Sequence, residues 1–213
     1  MDKKKNGTVM GLIMKDAAIL CAITLIAGTL LASVNEMTKK TIERRKLEES
    51  LATYEVAYTE AADFAYSDSL TSIVKEADKL LNESGNDFGK MTINEALEAK
   101  DESGSTIGYM IAATSGDGYA GDIKVAVGVS MEGTITGVEI LESGETAGLG
   151  SKASDDSFKS QYKDKQVDSF VVVKGNASAD NEIDSISGAT FTSKAVTNAV
   201  NAAVYFVNNC IEK

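Results

Sequence analysis

The sequence predicts an α+β protein: an antiparallel sheet packed with helices, preceded by one N-terminal transmembrane helix. Three observations predict it. Residues 17–34, AAILCAITLIAGTLLASV, run for eighteen positions without a charge. Between residues 94 and 140, strand-length segments alternate apolar and polar side chains, the pattern of a half-buried sheet. Near the end, Val196, Ala199, Val200, Ala203, Val204, Val207 and Ile211 form one apolar stripe at three/four spacing, the mark of a helix lying on a core. A chain of 213 residues has room for one such core plus an anchor, and hardly for two full domains.

At roughly 1.5 Å per residue the apolar run spans about 27 Å, close to the thickness of a hydrocarbon core. A buried helix so uniformly apolar does not suit a domain this small, and a secretory h-region is shorter, about 7–15 residues. The expectation is therefore a retained anchor over 17–35, with residues 1–16 as a tail. Cys21 follows Leu20 rather than a small residue, so lipid processing is not expected. Lys3, Lys4, Lys5 and Lys15 precede the run, and Lys39, Lys40, Arg44, Arg45 and Lys46 follow it, so charge leaves the orientation open. Residues 47–213 hold 28 acidic and 12 basic side chains, a net of −16, which suits a solvated domain held off anionic lipid.

Thr38 to Phe64 is a long charged pattern with Leu47, Leu51, Tyr54, Val56 and Tyr58 at loosely helical spacing; it predicts a juxtamembrane helix with a solvated charged face. A second helix is expected over Ser69–Asn82, then a loop at 82–87. Residues 36–89 thus read as a helical segment ahead of a domain at 90–213. Asn94–Lys100 has helix-forming residues but abuts the turn Asp101-Glu102-Ser103-Gly104, so a strand is expected there against propensity. Strands follow at Ile107–Ala113, Asp122–Val129 and Thr134–Ile140, the last two joined by a tight Met131-Glu132-Gly133 turn. Ser154–Lys163 predicts a short helix, Ser169–Val173 a strand, and the stripe from Val196 the final helix.

Composition excludes much of enzymology. Histidine is absent, which rules out a Ser-His-Asp triad, an HExxH zinc site and imidazole ligation of haem. Cys21 and Cys210 are the only cysteines, so there is no thiolate cage for zinc or iron–sulfur, and no metal site is expected. Proline and tryptophan are absent too. With 32 acidic against 21 basic residues the chain lacks the footprint of a nucleic-acid binder. No residue stands out as a catalytic acid or base. Redox or group-transfer chemistry would have to come from a bound organic cofactor.

One segment does suggest chemistry. Asp184-Ser185-Ile186-Ser187-Gly188-Ala189-Thr190 stands just before the last helix. Ser187 or Thr190 can cap that helix, Gly188 lets another group approach the backbone, and the free N–H groups of the first turn suit an anion, with Lys194 a possible counter-charge. An ordinary capped helix is the plain alternative. The full pattern D-x-x-[ST]-G-A-T is expected by chance about once in a thousand chains of this size.

Asp184–Thr190 resembles the flavinylation motif of the covalent-FMN domains in bacterial membrane redox complexes. In that family the last threonine carries FMN as a phosphoester installed from FAD by a flavin transferase, so the resemblance implies attachment at Thr190, with Ser187, Gly188, Ala189, Asp184 and Lys194 around it. Gly118-Tyr119-Ala120-Gly121 resembles the family's G-Y-x-G segment, implying Tyr119 and Gly121 as contacts. Glu145-Thr146-Ala147-Gly148-Leu149-Gly150 resembles its E-T-P-G-L-G loop beside the flavin, bringing in Glu145, Thr146, Gly148, Leu149 and Gly150. Ala147 stands where the family has proline, which removes one rigid φ from the loop.

The chain is most similar to the G-subunit family of the Rnf ion-translocating ferredoxin:NAD oxidoreductases, with the C subunit of the sodium-translocating NADH:quinone oxidoreductase a close relative. The resemblance implies a covalent FMN electron carrier without an acid/base of its own. It also implies partners among the membrane and redox subunits, a tail inside the cell and a flavin domain on the outer face of the cell membrane. Three other readings stay open: a C-type subunit of a sodium-translocating NADH:quinone oxidoreductase, a free-standing extracytoplasmic flavoprotein, and a membrane-anchored binding module without redox chemistry.

Overall fold

In the computed structural model the described residues are 14–15, 17, 19–25, 27–31 and 50–211. Residues 1–13 of the expected tail, residues 32–35 of the expected anchor and the part of the juxtamembrane segment before residue 50 lie outside them. Within 14–31 the described residues are helical and exposed, including Ile19, Leu20, Ile23, Leu25, Leu30 and Leu31. The hydroxyls of Thr24 and Thr29 donate back to the carbonyls of Leu20 and Leu25 at 3.0 and 2.9 Å, satisfying themselves within the helix. Among the described residues no helix is long and apolar enough to cross a membrane.

The rest, Ser50–Lys213, forms one compact unit. It begins with helix α1 (50–57), followed by β1 (Asp63–Ala65) and α2 (Asp68–Glu83). Four strands come next: β2 (Met91–Lys100), β3 (Thr106–Ser115), β4 (Ile123–Ser130) and β5 (Ile135–Ser143). A 3-10 turn (Gly150–Ser154), α3 (Asp156–Lys159), β6 (Val171–Val173), β7 (Glu182–Asp184) and α4 (Thr190–Asn209) complete it. The five-stranded sheet runs in the order β1-β2-β3-β4-β5 with every pair antiparallel.

Two expectations are corrected. The helix expected to reach Phe64 stops at 57, because Phe64 pairs with Ala99 as part of edge strand β1. The strand at 169–173 does not join the antiparallel sheet; Val171–Val173 pairs in parallel with β7. Residues 50–89 lie within the same compact unit as the strands that follow.

Successive strand residues face opposite sides, and both sides of the sheet are covered. On one side Tyr109, Ile111, Ala113, Val125, Val127 and Val129 join the α4 stripe in the main core. On the other, Leu97, Ala99, Met110, Ala112 and Ala126 are buried, as are Tyr54, Ala57, Tyr58 and Phe64 from α1 and the residues after it. Helix α1 can come this close because β3, β4 and β5 each offer a glycine. A Cβ on Gly137 would lie 2.5 Å from the Ala57 carbonyl oxygen, one on Gly128 2.8 Å from the same atom, and one on Gly108 2.5 Å from the Tyr58 hydroxyl. Covering on both faces explains why β3 and β4 read as nearly continuous apolar runs.

The segment between sheet and site is fastened twice. Lys159 of α3 reaches both carboxylate oxygens of Glu139 on β5 at 2.7 Å. Burial pulls its pKa down, but the bond to Glu139 outweighs this and holds the ammonium above its ordinary value. Tyr162 then stacks edge-on between Phe158 and Phe170, and its hydroxyl meets Thr197 of α4 at 2.8 Å.

The buried tyrosines give a pH signature. The Tyr54 hydroxyl donates to Glu95, and burial and that carboxylate push its pKa far up. Burial, with Glu60 and Glu132 nearby, pushes Tyr58 up to about 12. Burial likewise raises Tyr162 and Tyr109. A folded pKa above the unfolded one contributes stability that is whole below the unfolded value of 10.0 and is lost as pH climbs through about 12. An ultraviolet titration is expected to show a late class of tyrosines ionising together with unfolding; a single step for all of them at pH 10 would contradict this packing.

Candidate functional site

Helix α4 begins at Thr190 without a side-chain cap; its N-cap is Ala189. The capping expected from Ser187 or Thr190 is thus absent. Ser193, one turn in, does the local work: its hydroxyl accepts the Ile186 N–H at 2.9 Å and donates to the Ala189 carbonyl at 3.0 Å. The N–H of Ser193 also goes to the Ala189 carbonyl, whereas those of Thr190, Phe191 and Thr192 have no acceptor among the described residues. These three groups, at the positive end of a 20-residue helix, are free for an anion.

They open on a cavity of about 310 Å³. Its walls are three segments distant in sequence: Tyr119, the 145–150 loop, and 188–192. Gly188 turns the chain at φ +79°, a conformation closed to most side chains, and a Cβ there would come 3.2 Å from Leu149. Gly150 is in tighter quarters, since its Cβ would fall 2.2 Å from a Glu145 oxygen. The missing proline at 147 does not undo the loop: the Thr146 carbonyl accepts the N–H groups of Leu149 and Ser151 at 3.1 and 3.2 Å, and the Gly148 N–H meets Ser151 Oγ at 2.9 Å.

The hydroxyls of the motif separate cleanly. Thr192 and Ser193 are fully buried and hydrogen-bonded. Ser185 and Ser187 line a different cavity, of about 250 Å³. Thr190 lines the site, half-exposed, and its hydroxyl makes no hydrogen bond among the described residues.

Of the residues singled out from the sequence, the structure gathers Tyr119, Glu145, Thr146, Leu149, Gly150, Gly188, Ala189 and Thr190 around this cavity. Asp184, Ser187, Gly121, Gly148 and Lys194 are not in its lining. Asp184 sits on β7 and accepts the Ala177 N–H at 2.9 Å, a structural task, while Lys194 is exposed. Lys124 is turned to Glu142, at 3.6 Å. Glu145 is the one charged side chain in the lining. Sequence reasoning missed Phe191 and Thr192. The signal for Phe191 was available: an aromatic residue directly after the motif and off the apolar stripe, left 68 % exposed beside Tyr119 at 74 %.

Residues 118–205 match the family model of the FMN-binding domain, a span that contains the whole lining of the cavity. Over 201 residues the chain is 34 % identical to the G subunit of the Na(+)-translocating ferredoxin:NAD(+) oxidoreductase complex of Acetobacterium woodii, covering 92 % of each. It is 32 % identical to the G subunit of the proton-translocating ferredoxin:NAD(+) oxidoreductase complex of Clostridium ljungdahlii, over 96 % of this chain and 95 % of that one. This chain belongs to that G-subunit family. Among solved structures, NqrC of Shewanella oneidensis is similar at 25 % identity and a TM-score of 0.47, over 58 % of this chain and 61 % of that one.

The site of this G-subunit family member fits FMN on its own features. A hydroxyl and three N–H groups that have no partner among the described residues stand side by side, which suits a phosphate. Two glycines keep the walls clear, and Tyr119, Leu149 and Phe191 offer exposed apolar surface of the kind that takes a flat ring out of water. Larger openings of about 610 and 430 Å³ lie by the later part of α4, away from Thr190 and the first turn of the helix.

Proposed function

We propose that this chain is a membrane-anchored electron carrier that holds FMN as a phosphoester on Thr190 and relays electrons within a Rnf-type ferredoxin:NAD oxidoreductase complex. The observation that carries it is the Thr190 hydroxyl, unbonded at the mouth of a cavity within the FMN-binding match. In maturation by a flavin transferase, Thr190 Oγ takes the place of AMP on the FMN phosphorus of FAD: one O–P bond forms, the pyrophosphate bond breaks, AMP leaves, and the hydroxyl proton passes to solvent. FMN, when bound, supplies the redox chemistry.

The chain's own residues hold and tune it. The N–H groups at the start of α4 would hold the phosphate, and Gly188 and Gly150 would leave room for it and the ring. Glu145 is the only charge in the lining, so added negative charge in the cavity is disfavoured and the potential is kept low. Both its oxygens already accept hydrogen bonds, and the chain has no histidine, so the site moves electrons rather than transforming a substrate. The exposed apolar helix within 14–31 supports an anchor at 17–35; the resemblance to the family supports 1–16 inside the cell and the flavin domain outside, among the other subunits.

The test is the full chain produced in membranes together with a flavin transferase, purified in detergent, denatured and weighed. The expected result is an added mass of FMN less one water, mapped to the peptide bearing Thr190. An unmodified chain beside a labelled control flavoprotein, or an adduct on Ser187, overturns it.

A further inference from the structure

The carboxylate of Glu145 ties the three walls of the cavity together. One oxygen accepts the Ala120 N–H at 2.9 Å, holding the 118–121 loop. The other accepts the Thr192 hydroxyl at 2.6 Å, holding the first turn of α4. Its own backbone begins the 145–150 loop. The fit around it is close: a Cβ on Gly118 would lie 3.0 Å from the first oxygen, and one on Gly150 2.2 Å from the second and 2.8 Å from Thr192 Oγ1. Thr192 is fully buried and sits two residues beyond Thr190, so fixing it fixes where the attachment hydroxyl and the free N–H groups point.

We propose that Glu145 and Thr192 form the positioning pair of this site, holding its three walls in the loaded arrangement before FMN arrives. The pair acts through Thr190 and rests on the reading that Thr190 carries FMN. Preorganisation of this kind lowers the cost of bringing a reacting hydroxyl into line. After loading, the same carboxylate remains as a fixed negative charge beside the cofactor.

The experiment uses the full chain in detergent, prepared without flavin and then given flavin transferase and FAD, with the rate of mass gain as readout. Thr192→Val keeps the local volume and removes the donor, while Glu145→Gln keeps it and removes the charge, leaving one accepting oxygen where Ala120 N–H and Thr192 need two; each is expected to slow labelling by about tenfold, the scale of one hydrogen bond to a charged group. The double variant should be no slower than the worse single one, since both break the same contact. Thr192→Ser, which restores the donor, should return the rate to near that of the wild type. In fully loaded protein, Glu145→Gln should also raise the flavin midpoint potential, a change that loosened packing alone would not give in a fixed direction.

Single-variant rates equal to wild type, effects that multiply in the double variant, or no rescue by serine each overturn the pairing. An unchanged potential in Glu145→Gln overturns the electrostatic part. Failure of the wild type itself to label would sink the assignment of Thr190 instead, and so is distinguishable from these outcomes.

Discussion

Thr190→Ala is expected to carry no covalent flavin and to fold as the wild type does. The two halves of that result come from one observation: the Thr190 hydroxyl lines the cavity and makes no hydrogen bond among the described residues. Removing it therefore leaves no buried partner unsatisfied, and alanine is at least as good a helix residue, so the stability change should stay within about 0.5 kcal/mol. No neighbour can take over. Thr192 and Ser193 are buried and engaged, and Ser185 and Ser187 line another cavity. A denaturing gel under ultraviolet light and a thermal melt check both halves. A fluorescent band in the variant would move the attachment elsewhere; a large drop in melting temperature would mean that the threonine is structural after all.

Gly137→Ala is expected to lift helix α1 from the sheet and to destabilise the fold strongly. The added methyl would meet the Ala57 carbonyl oxygen at 2.5 Å and its Cα at 3.0 Å, both backbone atoms that no rotamer change can move. Helix α1 must lift, taking Tyr54, Ala57 and Tyr58 out of a face where they are buried. Overpacking a closed contact costs about 1–3 kcal/mol, and lost burial of the tyrosines adds to it. Gly144→Ala is the control, since its Cβ would come no nearer than 3.8 Å to the Ala120 carbonyl oxygen. Urea unfolding and limited proteolysis around residues 58–62 provide the readouts. Equal midpoints for the two variants would show that α1 is not seated against the sheet in solution.

The longer strands were legible in the chain. Their strand-length apolar patterning located β4 and β5 to within a few residues, although β4 is buried on both faces. The expectation of a strand over 94–100, made against helix propensity, matches β2, where pairing with β3 overrides intrinsic preference. Of the three-residue strands only β6 was legible, inside the strand expected over Ser169–Val173. β1 and β7 are too short to show a period, and each exists only because a partner strand, β2 or β6, stands beside it. The overlong helix expected through Phe64 failed for the same reason: the Phe64 backbone finds its partners on β2, not in a helix.

What the sequence by itself determined was the identity of the chemical groups: no imidazole, no thiolate cluster, one SGAT segment before an apolar helix, and two glycine loops. Those are properties of residue types and of neighbours along the chain, and they point to a bound organic cofactor without any coordinates. What the tertiary structure alone decided was which of those groups meet. Glu145 and Thr192 lie 47 positions apart, and the first turn of α4 is held by a loop between β5 and the 3-10 turn that no local pattern connects to it. It also decided which did not belong, moving Asp184, Ser187 and Lys194 off the cavity although they neighbour Thr190 in sequence. The physical reason is the same in both cases. A helix start and a turn fix directions within a few residues, whereas a cavity is closed by long-range packing, whose contacts are set by the sheet and not by spacing along the chain.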